Sequence, residues 1–144
     1  MKRTFILAAL ISLSTAIFAN PVVNDKVLKS FNKTFATAEE VRWHEANDHY
    51  TVSFKHSGIR TTVNYDKSGN MVSTIRYYLP ELLPLNVLSK LTREYSNATL
   101  FGVTEIGAGN NVVYVVKIEE KKNWSTVKID NSGNMEVIER YRKA

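Results

Sequence analysis

The sequence predicts an α+β protein made of two tandem units, each a helix followed by four antiparallel strands. Three observations lead there. Asp66 to Met71 reads D-K-S-G-N-M, and 64 residues later Asp130 to Met135 reads D-N-S-G-N-M. An internal repeat constrains the architecture before any single residue is interpreted. Within each copy the apolar residues first recur at helical spacing and then switch to strict alternation, which is a strand period. The alternating runs are joined by short polar turns, and short turns join antiparallel neighbours.

Before the first unit, residues 1–19 read as an export leader. Lys2 and Arg3 precede the apolar stretch Phe5 to Phe18, and Ala16 and Ala19 are small residues suited to a cleavage position. Ile17 is not ideal three residues before the second cut, so cleavage after either alanine remains open, and an uncleaved anchor is the alternative. The stretch is short for a membrane span, and none is expected after cleavage. A mature chain of about 125 residues suits one compact domain or two small units sharing a core. The chain has no cysteine, which excludes disulfides, thiol chemistry and an N-terminal lipid-modified cysteine. A net charge of +5, two charges of it in the leader, is too mild for a nucleic-acid footprint.

The first unit is expected over 20–80. Asn24 and Asp25 are good helix-capping residues. Val27, Leu28, Phe31 and Phe35 form one apolar stripe, which predicts a helix from Asp25 to Phe35. Val41 to Glu45 is a candidate strand. Tyr50 to Lys55, Ile59 to Tyr65 and Met71 to Tyr78 alternate apolar with polar residues, separated by turns at His56-Ser57-Gly58 and Asp66 to Asn70. The second unit, 81–144, repeats this order. Leu85, Leu88, Leu91 and Tyr95 make the stripe of a second helix behind Pro84. Leu100 to Ile106, Val112 to Ile118, Asn123 to Ile129 and Met135 to Tyr141 are its strands. The offset between copies grows from 60 at the helix to 64 at the last turn, which places about four extra residues around Gly107 to Asn111.

The tandem order of the units, the helix end at Phe31 and Phe35 followed by Ala38-Glu39-Glu40-Val41-Arg42-Trp43, and the Y-D-x-S-G-N turn at Tyr65 to Asn70 resemble the PepSY-like, β-lactamase-inhibitor-protein-like family of exported bacterial proteins. The resemblance covers the whole mature chain. It implies two units side by side, their sheets forming one curved surface with the helices on the opposite face. It implies a binding or inhibitory module that is not an enzyme. No inhibitory loop matches residue by residue, so inhibition is not carried over.

Candidate chemistry is sparse. His44, His49 and His56 fall on strand ends and turns at odd spacings that put neighbours on opposite faces, so neither metal nor other cofactor is expected. The two D-x-S-G-N turns lack the register and closing glutamate of a calcium loop, and a hairpin turn needs the same residues. There is no G-x-S-x-G, and no serine–histidine pair that the pattern brings together.

The strand alternation predicts a helix-facing set that includes Met71, Ile75, Tyr77, Met135, Val137 and Tyr141. It predicts an open face carrying Arg60, Arg76, Tyr78, Lys117, Trp124, Lys128 and Arg140 beside Val115 and Ile138. Aromatic residues mixed with arginine are the composition of binding hot spots, and the basic field favours an acidic protein or peptide partner. A solvated sheet face rich in Thr, Lys and Arg is the plain alternative. Arg60 and Trp124 occupy equivalent positions in the two copies, which therefore differ in chemistry there. The expected function is an exported, non-catalytic binding module, periplasmic or secreted, that holds a protein or peptide on the open face and acts as an inhibitor or regulator of an envelope enzyme. The alternative is a small-molecule or glycan-binding envelope protein in which Trp43, Trp124 or Tyr78 stacks on the ligand.

Overall fold

The computed structural model describes residues 22–144, so the expected leader lies outside the described residues. Two helices pack on one face of a single antiparallel sheet. The order is α1 (Asp25–Thr34), β1 (Glu39–Ala46), β2 (His49–His56), β3 (Ile59–Asp66), β4 (Met71–Tyr78), a 3-10 turn at Pro80–Leu82, α2 (Leu85–Glu94), β5 (Thr99–Ala108), β6 (Asn111–Glu119), β7 (Asn123–Asp130) and β8 (Met135–Arg142). The eight strands pair in sequence order without a crossover. The joint between halves is the β4–β5 pair, from Ser73–Ala108 to Tyr78–Val103. Four extra residues in the second half lengthen the β5–β6 hairpin by two on each strand. Ala108 and Gly107, in that extension, are the partners of Ser73 and Thr74.

Each helix covers its own core. Under α1, Val27, Phe31, Val52, Phe54, Val63 and Tyr65 are buried. Phe31 lies edge-on to Trp43 and Phe54 at 5.2 and 5.1 Å, a favoured aromatic geometry. Under α2 the buried set is mostly aliphatic: Val87, Leu91, Val116, Ile118, Val127 and Ile129. Leu85, expected in that stripe, is 81% exposed, and the buried positions are Leu83 and Val87. Helical period accounts for this: Leu83, Val87 and Leu91 are spaced by four and stack on one side, whereas Leu85 lies off that line.

The repeated turn seats the helices. The Asp66 carboxylate accepts from the Ser68 and Asn70 amides at 2.8 and 2.9 Å and from the Asn70 side chain at 2.8 Å. Asp130 does the same with Ser132 and Asn134. These bonds, the asparagine side chain's first, hold both carboxyls below the ordinary value. Asn24 caps α1 by accepting from Lys26 and Val27, and donates to the Lys67 carbonyl in the turn. Gly69 has φ +87° and lies so close to α1 that a Cβ there would sit 2.8 Å from the Lys26 carbonyl oxygen. The glycine in the phrase is thus required by backbone conformation and by the approach of the helix.

Candidate functional site

Bulges decide which side chains reach the open face. Facing residues of an antiparallel pair share a face, and one extra residue reverses the alternation beyond it. In β4 the pairing passes from Tyr65–Met71 to Asn64–Ser73, leaving Val72 as the extra residue. In β8 it passes from Val127–Val137 to Thr126–Glu139, leaving Ile138 extra. In β5 the extra residue is Phe101.

Three of the seven expected open-face residues therefore lie on the helix side. Arg76 pairs with Thr61, and Arg140 with Ser125, both inward residues. Tyr78 pairs with Val103 and packs on the α2 core. Ile75, Tyr77 and Tyr141, expected inside, are on the open face opposite Thr62, Arg60 and Trp124. The displaced arginines hold structural pairs. Arg76 meets Glu105 at 3.1 Å, and the Tyr78 hydroxyl donates to the same carboxylate at 2.6 Å. Burial first, and that bond second, push the Tyr78 hydroxyl pKa up. Arg140 donates to the Ser125 hydroxyl and lies 3.6 Å from Glu120.

Arg60, Lys117, Trp124 and Lys128 are on the open face, as the alternation predicts. The face divides along the β4–β5 joint. In the first half it is a hydrogen-bonded polar ladder. The Thr51 hydroxyl donates to Asn64 at 2.6 Å, Asn64 donates to Ser73 at 2.8 Å, and Ser53 and Thr62 share a bond at 3.0 Å. In the second half Val113 continues the row of Ile75 and Ile106, Val115 continues that of Tyr77 and Thr104, and beyond them lies an aromatic cluster. Phe101, 62% exposed on its bulge, stands edge-on to Trp124 at 5.5 Å. Tyr141 pairs with Trp124. The Lys117 ammonium sits 4.6 Å from the centre of the Tyr141 ring, 3.1 Å from the Thr126 hydroxyl and 3.3 Å from Glu139. The Tyr141 hydroxyl, ahead of the Glu139 carboxylate, raises the Lys117 pKa.

Between these groups the face is hollow, because Gly102 has no side chain. The depression is about 350 Å³, with Tyr77, Thr104, Val115, Lys117 and Thr126 around it. A larger hollow, about 420 Å³, lies off the sheet face between the loop after α2 and the β6–β7 turn. At the opposite corner of the open face Arg42, Lys55 and Arg60 surround Glu40, which takes an ion pair at 2.6 Å from Lys55. That bond is the first cause of the lowered Glu40 pKa, and the charges of Arg60 and Arg42 add to it.

The proposed stacking residues separate in the same way. Trp43 is packed in the first core and Tyr78 is tied to Glu105. Only Trp124 is on the open face, and the Lys143 ammonium lies 5.4 Å from the centre of its ring. Among the described residues no cluster of three metal-ligating side chains occurs, and no helix is long and apolar enough to cross a membrane. Tyr77, Tyr141 and Phe101 were not legible as site residues from alternation alone. Adjacent apolar pairs carried a signal: Met71-Val72, Leu100-Phe101 and Val137-Ile138 each break the period at a bulge.

No family model matches the sequence, and no curated protein matches it. Solved structures match the fold. A BLIP-like protein from Bacteroides fragilis superposes with a TM-score of 0.62 at 18% identity, over 83% of this chain and 85% of that one. A DUF2874 family protein from Bacteroides ovatus gives 0.63 at 17% identity, over 85% and 89%. A protein of Bacteroides eggerthii, provisionally described as periplasmic, gives 0.62 at 16% identity, over 85% and 90%. At these identities the likeness is one of fold: the chain shares the architecture of BLIP-like and DUF2874 proteins.

Proposed function

We propose that this chain is an exported, non-catalytic binding module that holds a protein or peptide on the second half of its open sheet face. The observation that carries it is the Gly102 hollow, edged by Tyr77 and Lys117, with Phe101, Trp124 and Tyr141 next to it on bulged or edge strands. Aromatic side chains around a depression that a partner desolvates on docking are the usual anchors of an interface. Sheet backbone presents them rigidly, so little ordering cost is added on binding. The leader expected at residues 1–19 and the periplasmic description of a structural neighbour support an envelope location. The BLIP-like neighbour supports a protein as the partner and an inhibitor or regulator as the role.

Gly102 supplies a clean test. A Cβ added there meets nothing within 4 Å, and its φ is outside the left-handed region. Gly102→Leu should therefore fill the hollow, and an unchanged amide spectrum checks that the fold is kept. Affinity capture from an envelope extract, read by mass spectrometry, should return a specific protein with the native chain. That protein should be lost with Gly102→Leu. Trp124→Ala should weaken its binding by about 2 kcal/mol or more, the scale of a hot-spot residue. A partner retained equally by both variants would place binding elsewhere.

A further inference from the structure

The open face also carries a second, charged feature in register with the hollow. Arg60 pairs across the sheet with Tyr77, and Tyr77 pairs with Thr104 at the edge of the hollow. Arg60 is thus two strand spacings from the hollow, roughly 10 Å at about 4.8 Å per strand. Arg42 lies beyond it on β1. Neither arginine reaches a carboxylate within ion-pair distance among the described residues, whereas Lys55 already holds Glu40. In the second half Lys117 is paired with Glu139 and Lys143 with Glu119, while Lys128, further along the face, has no ion pair among the described residues. The two open-face arginines without a carboxylate therefore stand together at one corner. The same face places the Gly102 hollow at a fixed distance from that corner.

We propose, resting on the binding-surface reading above, that the occupant is an extended acidic segment of a protein partner. One large apolar side chain of the segment enters the Gly102 hollow, and a carboxylate about three residues away pairs with Arg60, with Arg42 in support. An extended chain advances about 3.1–3.3 Å per residue, so three residues span the roughly 10 Å between the two features. The chain of the segment runs across the strands, over Tyr77. Arginine suits the carboxylate because its planar fork binds both oxygens.

The test uses the full exported chain, labelled with nitrogen-15, and three blocked peptides. The first has the sequence E-E-G-S-F, the second K-K-G-S-F and the third E-E-G-S-A. The acidic phenylalanine peptide should shift the Gly102 amide and the Arg60 side-chain signal together. It should bind about tenfold more tightly than either control, with the advantage shrinking as salt is raised. Arg60→Glu should reverse the preference between the acidic and basic peptides. Gly102→Leu should abolish the phenylalanine dependence while the amide spectrum stays folded. If both phenylalanine peptides shift Gly102 equally and Arg60 is unmoved, the acidic occupant is overturned while the binding surface stands. If no peptide shifts either signal at millimolar concentration, the proposal is overturned, and capture with Gly102→Leu decides the broader reading on its own.

Discussion

The two halves of this sheet have the same element order and opposite chemistry on each face. In the first half most aromatic side chains are inside, Phe31, Phe35, Trp43, Phe54 and Tyr65 packing under α1, and Tyr77 at the joint is outside. Its open face centres on a ladder of Thr, Ser and Asn bonded to one another, with Ile75 and Tyr77 on β4 at the joint and Lys55 and Arg60 at the corner. In the second half the core is mainly Val, Leu and Ile, and the aromatic residues Phe101, Trp124 and Tyr141 stand outside. Equivalent positions show the exchange directly. Lys55, Arg60 and Tyr77 form one cross-strand row, and Glu119, Trp124 and Tyr141 form its counterpart. The tyrosine is common to both rows, while the partners differ. A satisfied polar ladder gains little from a partner, because its groups are already bonded. An exposed aromatic cluster gains from being covered. The proposed docking of a partner's apolar surface on the second half rests on this difference.

The comparison can be strained first at the cores. Phe31→Ala removes a ring held by three other aromatic rings and should cost about 3–5 kcal/mol in urea unfolding. Leu91→Ala, its counterpart under α2, should cost about 2–5 kcal/mol, toward the lower part of that range because smaller aliphatic neighbours can close in. A larger loss at Leu91 would reverse the view that the first core depends on its aromatic packing.

The repeated turns give a smaller and sharper contrast. Gly69 and Gly133 share a positive φ, but a Cβ at Gly69 meets the Lys26 backbone at 2.8 Å, whereas at Gly133 it meets the Lys90 side chain at 3.2 Å. A lysine side chain can move aside and a helix backbone cannot. Gly133→Ala should cost about 1 kcal/mol, the backbone strain alone, and Gly69→Ala roughly twice that or more. Equal losses would mean that the turn does not seat the first helix.

The smallest effect concerns Tyr65, whose counterpart at the same place in the second half is Ile129. Tyr65 is fully buried and its hydroxyl has no hydrogen-bond partner among the described residues. Burial alone raises its pKa. Tyr65→Phe should leave stability unchanged or raise it by about 1 kcal/mol, since an unmade bond costs more than an absent group. A loss above about 1 kcal/mol would show that the hydroxyl has a partner.

Much of this was readable from residues. Helical and strand periods located both helices and all eight strands, and the D-x-S-G-N phrase aligned the copies at turns that support the helices. The faces of β4 and β8 were not readable from strict alternation, because a single bulged residue reverses every side chain after it. That is why Arg76, Tyr78 and Arg140 were expected outside while Tyr77 and Tyr141 were expected inside. Leu85 misled for a related reason: it is apolar and near the stripe, and only the stacking of Leu83, Val87 and Leu91 on the sheet shows which line is buried. The hollow itself was illegible, since it depends on a missing side chain at Gly102 and on neighbours from three other strands.

The central claim is that the partner docks on the second half of the open face. It is tested most directly by titrating the captured partner into nitrogen-15-labelled protein and mapping the amide shifts. The account predicts shifts concentrated at Gly102, Thr104, Lys117 and Trp124, extending to Arg60, with Thr51 and Ser73 unmoved. Shifts centred on the Thr51–Asn64–Ser73 ladder, or on the helices, would contradict it.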